Sequence, residues 1–163
     1  MRAYIRPFGA AVTILAMALC LMALPTLGQS KDPSAGTWVE DLSKTTFTPY
    51  VAFQSRTITI SYTPGGEFQF VRDSKNGFMG GVDETSFTAK FDGKDYPIEE
   101  AELDTVSLKR IDKDTIERTG KIRGKVAETA IMKISPNGKV LTITTKGMIG
   151  TETYSSEQIL DRQ

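Results

Sequence analysis

Histidine is missing from this chain altogether, and cysteine occurs once, at position 20. Ser-His-Asp and Cys-His catalysis need an imidazole near neutral pH, and zinc or copper sites draw mainly on His and Cys, so these classes are excluded. No cofactor and no metal site is expected. Enzymatic chemistry would have to rest on carboxylates, Lys or Tyr, which every soluble domain displays. The most tempting carboxylates, Glu117 and Glu128, are expected on opposite faces of a hairpin and make no acid and base pair. Charge of one sign is also lacking, since 20 Lys and Arg balance 20 Asp and Glu. That balance leaves no electrostatic footprint for nucleic acid or an anionic membrane.

What is present begins with a leader. Residues 1–30 have the three parts of a signal peptide: Arg2 and Arg6, an apolar stretch from Phe8 to Leu24, then Pro25 and small residues. Cleavage is expected after Gly28 or Ser30, leaving residues 31–163 as a single domain with no transmembrane segment, exported to the periplasm or beyond the cell. The apolar stretch is about 17 residues long, the lower limit for crossing a bilayer core of roughly 30 Å, so an uncleaved anchor is the alternative. Leu19 stands where a lipoprotein signal needs a small residue before Cys20. Without the leader the charge is 18 against 20, a net −2, and no cysteine remains to form a disulfide.

After the leader, turn signals recur at Pro64-Gly65-Gly66, Asn76-Gly77, Asp92-Gly93, Asp112 to Asp114, Arg123-Gly124 and Asn137-Gly138. Asn-Gly and Asp-Gly favour the positive backbone angles of tight hairpins, so these points read as reversals between antiparallel neighbours. Between them apolar residues alternate with polar ones, as in Ile58, Ile60 and Tyr62, the period of a strand with one buried face. The same pattern runs through Phe68 and Phe70, through Thr85, Phe87, Ala89 and Phe91, and through Tyr96 with Ile98 and Val106 with Leu108. It continues with Ile116 and Ile122, with Val126, Ala130, Met132 and Ile134 on one face, then Leu141 with Ile143, and a last strand from Thr151 to Leu160. Asp41 to Lys44 has room only for a turn. The expected fold is all-β: an antiparallel up-and-down barrel of about eight to ten strands, with a two-sheet sandwich as the competing architecture.

Gly36-Thr37-Trp38 on the first strand resembles the Gly-x-Trp signature of the lipocalins. The stretches GTWVEDLSK from Gly36, FDGKDYP from Phe91, DTVSLKRI from Asp104 and GKVLTITTKG from Gly138 are similar to those of small exported bacterial lipocalin-like proteins, within the wider calycin-type superfamily. The resemblance implies that Trp38 packs at the closed end of the barrel beneath a basic residue from a late strand, for which Arg162 is the nearest candidate. The disulfide of many lipocalins is absent. Trp38 and Gly36 are carried over as structural residues.

Several charges fall in phase with apolar neighbours: Arg72, Arg110, Arg118 and Glu128. A charge inside a barrel is costly unless paired or bound to a ligand. One reading places Arg110 and Arg118 across the turn at Asp112 to Asp114, holding the carboxylate head of a fatty acid with help from Tyr154, as interior Arg and Tyr do in the similar fatty-acid-binding proteins. Phe68, Phe70 and Phe87 would then line the cavity. In the bland reading these charges lie at strand ends, pair with each other, or sit past a bulge, and the aromatics only fill the interior. The run Glu99, Glu100, Glu102 and Asp104 reads as a solvated connection rather than a calcium loop. Phe78-Met79-Gly80-Gly81 is either a lid over the barrel mouth or a wide turn. The functions that follow are a non-enzymatic carrier of a small hydrophobic or amphipathic ligand, or a protein-interaction or inhibitor barrel acting through its loops, with a filled interior.

Overall fold

In the computed structural model the alternating segments become, among the described residues, eleven strands: β1 (Gly36–Glu40), β2 (Thr46–Thr48), β3 (Phe53–Tyr62), β4 (Phe68–Asn76), β5 (Val82–Ala89), β6 (Tyr96–Glu99), β7 (Thr105–Arg110), β8 (Thr115–Ile122), β9 (Lys125–Ile134), β10 (Val140–Ile149) and β11 (Glu152–Arg162). The structure describes residues 32–49, 52–76, 82–99 and 103–163, without the side chains of Val82 and Ile149. The leader, the segment Phe78 to Gly81, and Glu100 and Glu102 of the acidic run lie outside the described residues.

From β3 to β11 each strand pairs antiparallel with the next, and β1 pairs with both β3 and β11. That last pairing closes the sheet on itself and separates a barrel from a sandwich. β1 lies against Leu160 to Arg162 of β11, and β2 against Ser155 to Glu157 of the same strand. The two short strands therefore share one place, and the barrel has ten strand positions. Every closing pairing falls within residues 36–162.

At Arg123 and Gly124 the φ angles are 49° and 75°, both left-handed, which is what a two-residue turn matching the twist of its strands requires. Three residues further on, the alternation breaks. Lys121 pairs with Val126 but Gly120 pairs with Glu128, leaving Ala127 as an extra residue, a β-bulge. The bulge turns Val126 outward, where it is 64% exposed, against the expectation that it shares the inner face with Ala130 and Met132. A second difference is smaller: β5 ends at Ala89, and Phe91 sits in the turn, its ring 5.6 Å from that of Phe68.

One end of the barrel is solid. Trp38, Phe68, Val106, Leu108, Ile116, Leu141 and Leu160 are fully buried there. The Trp38 indole N–H donates to the Ser34 carbonyl at 2.9 Å, and the Arg162 guanidinium stands 4.1 Å over the indole ring, a cation-π contact. Arg162 also donates to the carbonyls of Ala35 and Gly138, each at 2.6 Å, and to that of Pro33. One side chain thus satisfies three carbonyls while covering the only tryptophan.

Candidate functional site

Followed away from Trp38, the inward face of strand after strand changes from apolar to polar at a similar level. On β3, Ile60 and Ile58 give way to Arg56; on β9, Ile134, Met132 and Ala130 give way to Glu128. β8 passes from Ile116 to Arg118, β10 from Leu141 and Ile143 to Thr145, and β11 from Leu160 to Gln158 and Ser156. All of these polar residues are buried, and a cavity of about 330 Å³ lies among them. Its floor includes Ile58, Phe70, Met132 and Ile143, and Phe47, Phe53 and Met148 stand nearer the rim.

Two charged clusters face this space. In the first, Arg118 on β8 donates to Glu128 on β9, and the Tyr154 hydroxyl donates to the other oxygen of the same carboxylate. Arg118 and Glu128 are 7% and 8% exposed, so each is a buried charge answered by its neighbour. Space for this arrangement comes from glycine. Gly120 and Gly147 are the residues directly opposite Glu128 on its two flanking strands, and Tyr154 is opposite Gly147 on the next strand. A Cβ at Gly147 would stand 2.6 Å from the Tyr154 ring, and one at Gly120 2.7 Å from Leu103 and 2.8 Å from the Glu128 side chain. The row lets Tyr154 lie across β10 and reach Glu128.

The second cluster sits on β1, β3 and β4. Arg56 Nε is 3.5 Å from a carboxylate oxygen of Glu40 and donates to Ser74 Oγ at 3.2 Å. Its guanidinium lies over Phe53 at 4.2 Å and Phe47 at 5.4 Å. Arg72, on the neighbouring strand, donates to Thr85 Oγ1 at 2.6 Å. Burial pushes the Glu40 carboxyl above its ordinary pKa, against the opposing pull of Arg56, a hydrogen bond from Thr45 and the charge of Arg72.

Of the residues singled out in the sequence, Phe70, Arg72, Arg118, Glu128 and Tyr154 come together on the cavity wall. Phe87 stacks on Phe70 with ring centres 5.0 Å apart, one layer behind the wall, and Phe68 is in the solid core. Arg110 goes elsewhere. It pairs with Asp32 at 2.7 Å, donates to the Tyr62 hydroxyl at 2.7 Å and covers the Phe91 ring at 4.4 Å, all at the closed end. Arg110 is opposite Ile116 and Arg118 opposite Leu108, so the two arginines occupy different levels and do not share a partner. Gly36 and Trp38 lie on β1, with Gly36 against the Arg162 side chain. Sequence reading missed Glu40, Arg56, Gly120 and Gly147. For the two charges the signal was there: Glu40 is in phase with Trp38, and Arg56 with Ile58 and Ile60.

No protein-family profile matches the sequence, and no curated protein sequence matches it. Among solved structures, the zebrafish ileal bile acid-binding protein complexed with cholic acid is similar over 80% of this chain and 99% of that chain, at 11% identity and a TM-score of 0.50. The siderocalin Ex-FABP, described as functioning through dual ligand specificities, aligns over 80% of this chain and 74% of its own at 14% identity and a TM-score of 0.42. The first likeness is one of fold, a closed antiparallel β-barrel of the lipocalin-like kind.

Proposed function

We propose that this protein is an exported, non-enzymatic carrier that holds one small amphipathic molecule, a fatty acid or a similar compound, inside the barrel. The observation that carries this reading is the cavity of about 330 Å³ bounded by apolar residues below and buried charges around it. Ligand pockets run from about 300 to 1,000 Å³, so the space suits a single compact ligand. Export rests on the leader-like residues 1–30. The absence of histidine and of any cysteine after position 20 supports a binding role over catalysis. A loop-mediated interaction module expects a filled interior, and the cavity weighs against it.

The test is to express residues 31–163 and titrate them with a panel of fluorescent fatty acids, following probe emission. Saturable one-to-one binding at micromolar concentration is the expected result. A protein that unfolds cooperatively yet binds none of the panel would sink the carrier reading and shift attention to a protein partner of the loops.

A further inference from the structure

We infer that ligands enter and leave this cavity sideways, through a seam between β2 and β3 that the rings of Phe47 and Phe53 hold shut. Such a route presupposes the carrier reading above.

β1 closes the barrel over only part of its height. It pairs with Thr57 to Ile60 of β3 and with Leu160 to Arg162 of β11, so the sheet has no edge around Trp38. Further along, the chain keeps to β11. The Asp41 N–H donates to the Ile159 carbonyl at 2.8 Å, the Ile159 N–H donates to Thr45 Oγ1 at 3.2 Å, and Thr46 to Thr48 pair with Ser155 to Glu157. β3 keeps to β4 instead, where Phe53 to Arg56 lie beside Ser74 to Asn76. Among the described residues no backbone hydrogen bond joins β2 to β3. Pro49, which follows β2, has no N–H to donate to one.

Side chains span the line instead. On β2, Phe47 is opposite the buried Ser156 and so faces inward. On β3, plain alternation from the buried Arg56 would turn Phe53 outward, but Gln54 is an extra residue in the pairing with β4, a β-bulge that brings Phe53 to the inner face. The two rings meet with centres 5.2 Å apart, and the Arg56 guanidinium lies over both. Arg56 Nε reaches a Glu40 carboxylate oxygen at 3.5 Å across the same line. Local opening draws on the segments with the least backbone hydrogen bonding. Parting Phe47 from Phe53 breaks no ladder, whereas parting β3 from β4 at that level breaks a long one. The seam also borders the cavity: Phe47, Thr48 and Pro49 line it from one side, Phe53 and Arg56 from the other. Pairing is thin at β6 too, with two residue pairs on each flank, but among the described residues none that lines the cavity belongs to β5, β6 or β7. The rings at the crossing present apolar surface to a passing hydrocarbon chain.

The test uses the full chain, with Cys20→Ser as background so that engineered thiols are the only ones. Thr46→Cys and Ser55→Cys place exposed thiols on β2 and β3, and a reducible bis-maleimide joins them across the seam. Stopped-flow mixing with dansylaminoundecanoic acid then reads association and dissociation. The joined protein is expected to load and release the probe at least tenfold more slowly than the same protein after reduction, with equilibrium affinity within threefold. A matching link across β7 and β8, between Lys109→Cys and the directly opposite Glu117→Cys, should leave both rates unchanged. Phe53→Ala should raise both rates together, at least fivefold. Emission from Trp38, buried at the closed end, should be the same throughout and shows that each variant is folded. Unchanged rates in the joined protein overturn the portal and leave the carrier reading in place. Faster dissociation from Phe53→Ala without faster association also overturns it, because the ring then holds the ligand instead of admitting it. If the folded background protein binds no probe, the carrier reading and the portal fall together.

Discussion

Replacing Glu128 by Leu leaves the Arg118 guanidinium 7% exposed with its counter-ion gone. Breaking a buried pair from one side costs about 3–5 kcal/mol, because the remaining charge keeps its desolvation penalty without its counter-ion. The Tyr154 hydroxyl loses its carboxylate acceptor in the same step. Replacing Arg118 by Met strands the carboxylate in the same way, at a similar cost of about 3 kcal/mol. The double variant Arg118→Met with Glu128→Leu strands neither. Apolar replacement of a whole buried pair is often neutral or stabilising, so the double should cost no more than the worse single, a coupling of roughly 3 kcal/mol. Urea unfolding followed through Trp38, the only tryptophan and a fully buried one, provides the measurement. With a slope of about 2 kcal/mol per molar urea, each single should lower the midpoint by about 1.5 M. Additive losses of about 6 kcal/mol in the double, or a single that costs under about 1 kcal/mol, would refute the claim that these charges are buried and mutually dependent.

Three further outcomes follow from the same geometry. Gly147→Ala would put a Cβ 2.6 Å from the Tyr154 ring, and the resulting strain should cost about 1–3 kcal/mol in the same unfolding assay while changing the near-ultraviolet dichroism of tyrosine. Arg162→Lys keeps the charge but not the guanidinium fork that reaches the carbonyls of Ala35, Gly138 and Pro33, so it should destabilise by roughly 1–3 kcal/mol, visible as a lower melting temperature. The Glu40 carboxyl is raised above 4.5 in the folded chain, so its ionised form opposes folding once pH exceeds its folded value, and that penalty fades as pH falls towards 4.5. Glu40→Gln should therefore gain in melting temperature relative to wild type as pH rises from 4.5, and a difference that does not change with pH would contradict the assignment.

Much of the barrel was legible in the sequence because a strand with one buried face writes its burial directly into alternation. Ile58, Ile60, Phe68, Phe70 and Leu108 are inside as that pattern requires. Val126 was not legible, since a bulge is an event between two strands and nothing in Lys125-Val126-Ala127 announces it. The site was half legible for a related reason. Alternation tells which face a charge is on, not how far along the barrel it sits or what it meets. Arg110 and Arg118 share a pattern, but one finds Asp32, 78 residues away, and the other Glu128, 10 residues away. Gly120 and Gly147 are unremarkable apart in the chain and become a pair only when the register sets both beside Glu128.

The arginines also show how differently the two ends use the same side chain. Arg162 at the closed end joins elements that are distant in sequence, so its contacts add directly to stability. Arg118, Arg56 and Arg72 at the other end bring charges into a space that apolar side chains would fill without a desolvation cost. Folding alone does not call for that choice. The solid core around Trp38 makes it tolerable, because a barrel closed by β1 against β11 and sealed by Arg162 can carry a polar half above it. A cavity kept open by buried charges and by glycines that yield room to Tyr154 is what a binding site requires and a minimal stable core does not.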